Sequence, residues 1–305
     1  MSENFKEKIA KMLTCLIFPK RKRHLYRMKV AFALGVVPKE YPTFVSTVHF
    51  KHKGLLERAD KIENIIIGDS HAQAGILPFL INDKTYNYAF NANDLFAMYE
   101  SLKKAKSLCK NLKKVICTIS FYNRGYSLVE GSNAWKLQAV LKELKSESEV
   151  DFTINKYNDV KFNERVFNSG IIVSNTKLCQ GFDFSFLSPC RFSKKDDQRI
   201  KQHFKIYDKY NNQIFLLRKI CEFCKNNNLS LYLFVSPNRS DYNRIVSELA
   251  QGDDVLSWIK DICQEYNFPL YDARSNYNDE CFEDTDHLNI DGAVKFTRDI
   301  IDECF

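Results

Sequence analysis

Short apolar runs alternate with longer amphipathic stretches along most of the chain. "NIIIG" (64–68), "TYNYAF" (85–90), "KKVICTIS" (113–120), "LSLYLFVSP" (229–237) and "FPLYDAR" (268–274) have the length and composition of buried strands, and most end in polar, Gly or Pro positions. Between them, "DLFAMYESLKKAKSLCKNL" (94–112) repeats apolar positions at helical spacing, with Leu95, Met98, Leu102 and Ala105 on one face and Asp94 placed as its cap. A last helix is expected from Asn289 to the C-terminus, burying Ala293, Phe296, Ile300 and Ile301.

Strand, helix and strand in repeated order predict an α/β fold, a five-stranded parallel sheet covered on both faces. Working groups in such sheets gather beyond the carboxyl ends of the strands. More than a hundred residues separate the third and fourth strands, far beyond an ordinary crossover. About 211–227 is read as the crossover helix. The aromatic-rich and polar stretch 124–205, with a helical piece at 133–145, is read as an insertion that caps the site and shapes its pocket.

With 305 residues, 45% of them hydrophobic, the chain is globular and can bury a sizeable core. The net charge of +7 is concentrated near the start, where Lys20, Arg21, Lys22, Arg23, Arg27 and Lys29 cluster behind a short amphipathic stretch at 4–18. Residues 1–55 are therefore expected to form a basic arm, a solvated face or a contact with a membrane surface, and 56–305 the folded domain. Nucleic acid is not expected as a partner. No signal peptide or spanning segment is legible, which points to a cytoplasmic protein, peripheral at the membrane if the arm binds there. Ten scattered cysteines fit a reducing compartment. The pair Cys221 and Cys224 lies in a strongly helical pattern without a second ligand pair, so neither zinc nor redox chemistry is expected of it.

Two segments carry candidate chemistry. "GDSHAQAGI" follows the first strand and brings Gly68, Asp69, Ser70 and His71 to the sheet edge; "EDTDHLNIDGAVKFT" (283–297) holds Asp284 and His287 at a spacing that projects both to one side. An acid there can fix an imidazole's tautomer while the other ring nitrogen faces a hydroxyl, so Ser70, His287 and Asp284 make a nucleophile, a base and its orienter. Asp286 is the poorer orienter because adjacent residues point apart. His71 adjoins the serine and is placed with Asp69 at the pocket rim, as candidate substrate contacts. His49, His52 and His203 have no partner pattern, and with His24 they give no metal-ligand spacing.

Gly68-Asp69-Ser70 near the start, and Asp284-x-x-His287-Leu288-Asn289 followed by Gly292-Ala293 near the end, resemble the first and last blocks of the SGNH (GDSL-like) hydrolases. The resemblance covers 60–123 and 228–305, not the basic arm or the insertion. It implies a three-layer, flavodoxin-like α/β/α fold with Ser70 as nucleophile, His287 as base and then acid, and Asp284 as its orienter. The family's second block falls on "NYAFNAN" (87–93), with Ala92 where a glycine normally gives an oxyanion its backbone N–H. That donor survives the change to alanine where φ is negative. The third block falls on "ISFYNRG" and implies Asn123, or Tyr122 if the register shifts by one. The implied oxyanion hole is then the Ser70 and Ala92 N–H groups with the Asn123 amide.

The two motifs look most like SGNH-type proteins of bacterial surface-polysaccharide assembly. That likeness implies a carbohydrate substrate, with an O-acetyl group added or removed through an acyl-serine. No cofactor is implied for hydrolysis; a transferase needs an acyl donor such as acetyl-CoA. The alternatives are a generic esterase, lipase or thioesterase on the same triad, and a non-catalytic module of the same fold that binds glycans or proteins.

Overall fold

The computed structural model describes residues 41–129, 133–148, 178–183 and 197–305. The basic cluster, the amphipathic stretch 4–18 and much of the expected insertion lie outside these residues.

Five strands form the central sheet: β1 (Asn64–Ile67), β2 (Thr85–Asn87), β3 (Lys114–Ile119), then β6 (Ser230–Val235) and β7 (Leu270–Asp272). Strands β4 (Leu178–Cys179) and β5 (Phe182–Asp183) form a separate small antiparallel hairpin. The sheet order is β2-β1-β3-β6-β7 and every pairing is parallel. This is the order of flavodoxin-like folds, with its switch point between β1 and β3.

Both faces of the sheet are covered, which is why the strands read as continuous apolar runs. Successive side chains still point to opposite faces. Ile65, Ile67, Val115, Cys117, Leu231, Leu233 and Val235 enter one core, while Ile66, Ile116 and Phe234 enter the other. The first core is closed by helices that include α4 (Leu95–Leu108), α7 (Ile214–Asn226) and α9 (Ser257–Tyr266). The second is closed by α2 (Ser70–Gly75), α3 (Pro78–Ile81) and α10 (Ile290–Cys304), whose Ala293, Phe296 and Ile300 are buried as expected.

The boundary expected at residue 55 is corrected. Helix α1 (Tyr41–Arg58) belongs to the folded body, with Val45, Val48 and Leu55 buried in the first core. It packs against α5 (Ala134–Leu144), where the Phe44 and Trp135 rings meet edge to face at 5.4 Å. Its Lys51 is fully buried and donates to the Ala89 carbonyl at 2.7 Å. The 124–205 insertion likewise contains parts of the body. Helix α5 lies in the main core, and α6 (Asp197–Lys209) packs on α8 (Ser240–Ala250) and on the turn Phe121–Arg124.

Cys221 and Cys224 are buried and unpaired on α7, where burial pushes both thiols up, Cys224 to about 12. They behave as small apolar side chains. Among the described residues no helix is long and apolar enough to cross a membrane.

Candidate active site

At the carboxyl end of β1 the chain turns sharply into α2. Gly68 has φ +154, and a Cβ there would lie 2.2 Å from Thr118 Oγ1 and 2.6 Å from the Ala72 Cβ, so only glycine lets the strand end this close to β3. Asp69 caps the helix by accepting the His71 N–H at 3.0 Å. Ser70 is thereby the first helical residue, at the strand edge where the sheet order reverses.

The opposing segment is a tight loop between a 3-10 turn (Asp279–Cys281) and α10. Asp284 Oδ1 accepts the backbone N–H groups of Asp286 and His287 at 3.0 and 2.8 Å, folding the loop around its own acid. Glu283 N–H donates to the His287 carbonyl at 2.9 Å, and Asn289 caps α10 through the Gly292 N–H. Gly292 is required by close approach: a Cβ would lie 2.2 Å from the Cys281 carbonyl oxygen.

These two constructions bring the predicted residues together. His287 Nδ1 is 2.8 Å from Asp284 Oδ2, and its Nε2 is 2.9 Å from Ser70 Oγ. With the proton on Nδ1 the ring donates to Asp284, and its free Nε2 accepts the Ser70 hydroxyl proton. Burial opposes the Asp284 charge, but the bond from His287 outweighs it and holds the carboxyl below its usual range. Asp286 Oδ1 stands 3.7 Å from the same Nδ1, so Asp284 is the nearer of the two acids and the one hydrogen-bonded to the ring.

Ser70 and His287 open onto a cavity of about 320 Å³, whose other lining residues are Gln73, Ala74, Asn91, Arg199 and Glu283. A second cavity of similar volume, beside α8, is lined by Tyr242, Asn243 and Arg274 and holds none of the triad.

Asp69 and His71 are corrected from their expected place at the rim. They are 4% and 6% exposed and do not line the cavity. Asp69 is turned inward by its capping role, and His71 follows it beneath His287, the two imidazoles stacked at 5.2 Å. His71 Nδ1 is 2.9 Å from Asp69 Oδ1 and its Nε2 is 3.3 Å from Asp286 Oδ2.

The implied oxyanion donors fare unequally. Ser70 and Ala92 N–H groups have no acceptor among the described residues. Ala92 has φ +56, so the condition of negative φ is not met; its N–H is kept nonetheless, because the alanine takes up, with strain, the left-handed conformation a glycine would adopt freely. Asn123 does not line the cavity, and its Nδ2 is buried without a hydrogen-bond partner among the described residues. It lies in the 3-10 turn after β3, is fully buried, and its Oδ1 accepts the Ser120 N–H at 2.6 Å. Tyr122, its neighbour, stacks on His203 at 4.2 Å.

Arg199, Gln73, Asn91 and Glu283 were not foreseen. Gln73 is one helical turn after Ser70, and Asn91 adjoins Ala92, so both carried a local signal. Arg199 on α6 carried none. Its guanidinium lies 3.2 Å from Asp286 and 3.6 Å from Asp284. Burial opposes its charge, but those two acids hold it still more firmly protonated.

Ligand-type atoms of His71, Asp286 and His287 lie within 4.8 Å of one another. Each is already engaged, and the Arg199 cation rests on Asp286, so the group does not suit a metal ion. No protein-family model matches the chain, and no curated protein sequence matches it significantly.

Proposed function

We propose that this chain is a serine-dependent acyl-transfer enzyme that adds or removes a short O-acyl group, most simply O-acetyl, on a carbohydrate. The observation that carries the proposal is the unbroken chain from Ser70 through His287 to Asp284, with bonds of 2.9 and 2.8 Å, opening onto a cavity.

In this mechanism Ser70 Oγ attacks the acyl carbonyl as His287 Nε2 takes its proton. The oxyanion is met by the Ser70 and Ala92 N–H groups. Collapse expels the alcohol, which takes the proton back from His287 and leaves acyl-Ser70. Water or an acceptor hydroxyl then attacks the acyl-serine, with His287 again as base and then acid, and Ser70 is regenerated. Asp284 keeps the ring in the required tautomer and steadies the imidazolium in both halves. Asn123 spends its Oδ1 on the Ser120 N–H and keeps its Nδ2 donor without a partner among the described residues, outside the cavity lining; one such donor is worth about 3 kcal/mol of transition-state stabilisation, so the rate depends on whether that amide reaches the oxyanion.

The carbohydrate assignment draws on the likeness of both motifs to surface-polysaccharide proteins, and the hydrogen-bonding lining of Gln73, Asn91, Arg199 and Glu283 suits a hydroxyl-rich substrate. A cytoplasmic site fits the unpaired cysteines among the described residues. The basic arm, if it binds anionic vesicles, places the enzyme at the membrane surface.

A fluorophosphonate probe is expected to label the wild type and not Ser70→Ala, and acetate release measured with and without a glycan acceptor separates hydrolysis from transfer. A wild type that resists the probe and leaves short aryl esters intact overturns the proposal. That outcome favours the non-catalytic binding module, for which the strained Ala92 already speaks.

A further inference from the structure

Beneath the triad lies a second histidine that the mechanism above does not use. We propose that His71, held as an imidazolium between Asp69 and Asp286 and stacked under His287, is a positioning residue that sets the charge beneath the base. This rests on the acyl-transfer reading for its catalytic consequence, though not for the charge itself.

The charge follows from hydrogen-bonding chemistry. His71 directs Nδ1 at Asp69 and Nε2 at Asp286, at 2.9 and 3.3 Å. Ionised carboxylates only accept, whereas a neutral imidazole has one donor and one acceptor nitrogen. A neutral ring would aim a lone pair at one of the two carboxylates in a site closed to water. Both contacts are satisfied only if both nitrogens carry protons. Burial opposes that charge, but the Asp69 and Asp286 carboxylates outweigh it and lift the ring to about 10.

The surroundings are consistent. Asp286 is held well below the usual carboxylate range: burial works against this, and His287, His71 and Arg199 overcome it. The remaining neighbours are neutral. Burial pushes the Tyr122 and Tyr242 phenols and the Cys117 thiol up, and pushes His203 down to about 4. Glu283 lines the cavity at its half-exposed rim. Asp69, Asp284 and Asp286 thus face two fixed cations, His71 and Arg199. One negative side-chain charge is left over while His287 is neutral; when His287 holds the Ser70 proton the side chains balance, and the negative charge resides on the tetrahedral oxyanion. The site is balanced for the protonated base, the state in which the tetrahedral species forms. Stacking at 19° between the ring planes also fixes the orientation of His287 from below.

Selective ¹⁵N labelling of the six histidines tests the charge in the wild-type protein. The His71 ring, identified by the signal lost in His71→Gln, is expected to show two protonated nitrogens from pH 6 to 9. A neutral tautomer or a titration in that range overturns the proposal. The positioning role is read from the pH dependence of fluorophosphonate labelling. Removing the cation in His71→Gln is expected to slow labelling at least tenfold and to move its acid limb upward by about one pH unit. A limb that stays in place, however much amplitude is lost, reduces His71 to a packing residue. Should the variant not fold, the wild-type spectrum still decides. A wild type that never labels sinks the acyl-transfer reading instead, and leaves the charge of His71 to be judged from the spectrum alone.

Discussion

His287 Nε2 lies 2.9 Å from Ser70 Oγ although 217 positions separate the two residues. The contact is made by two independent devices, the glycine-dependent turn that ends β1 and the Asp284-centred loop that precedes α10. Asp284 serves both geometry and chemistry, since Oδ1 folds the loop while Oδ2 accepts the hydrogen bond from the imidazole Nδ1–H.

The two aspartates of that loop should therefore fail differently. Asp284→Asn leaves a polar partner for the loop but presents the wrong tautomer to His287, and kcat is expected to fall about 10⁴-fold with a small change in Tm. Asp286→Asn removes the shared partner of His71 and Arg199 within a buried cluster. It is expected to cost about 3–5 kcal/mol of stability in denaturant titrations. If Asp286→Asn proved the more damaging to kcat while unfolding like the wild type, the assignment of orienter would have to be reversed.

Ala92 holds a φ of +56, which costs an L-residue about 1–2 kcal/mol relative to the right-handed region. Glycine adopts that conformation without strain, but its greater freedom in the unfolded chain costs about 0.5–1 kcal/mol. Ala92→Gly is thus expected to raise stability by up to about 1 kcal/mol, read as a higher denaturation midpoint at unchanged m-value. Destabilisation by the glycine would mean that the alanine methyl makes contacts outweighing its strain.

Much of the fold was legible because the five sheet strands are short apolar runs closed by polar, Gly or Pro residues, and burial on both faces preserves that signal. Helices α8 and α9 carry compact patterns, Tyr242, Ile245 and Val246 in one and Trp258, Ile259 and Ile262 in the other, but among many charged neighbours they mark no function. The triad was legible as a pair of motifs whose spacing fits their chemistry. Arg199 was not, because nothing local to α6 records that its guanidinium reaches two acids almost ninety positions away. For Asn123 the sequence could not show how the 3-10 turn directs the amide, which sets its Oδ1 on the Ser120 N–H and leaves its Nδ2 without a partner among the described residues. His71 was expected at the rim since the sequence cannot show that Asp286 closes over it.

Helix α1 is the clearest case in which the chain's charge pattern misled. Its basic residues continue the arm, yet one face fills the core. Leu55 is fully buried, so Leu55→Ala is expected to cost about 2–5 kcal/mol, and a chain beginning at residue 59 should unfold below the Tm of one beginning at 41. Equal melting of the two truncations would return α1 to the arm.

The titrating histidines set a pH window for stability. Burial lowers His52 from 6.5 to about 4, and His203 likewise, each ring facing a tyrosine hydroxyl at 2.8 Å. A depressed folded-state value contributes stability that is complete above 6.5 and is lost as pH falls toward 4. His71 has the opposite sign: raised to about 10, it contributes stability that is complete below 6.5 and fades as pH climbs toward 10. Asp94, pushed up by burial from 3.8 to about 6, works against the histidines on the acid side, where its charge is unfavourable to the fold above 3.8. Two histidines outnumber one acid there, so unfolding free energy should peak near pH 6.5–7 and decline on both sides, each group acting with a limiting slope of about 1.4 kcal/mol per pH unit. Urea titrations at half-unit intervals from pH 4 to 10 measure the curve. His203→Gln should flatten the acid side alone and His71→Gln the alkaline side alone. An alkaline limb that survives His71→Gln unchanged would show that the stacked ring carries no proton that folding protects.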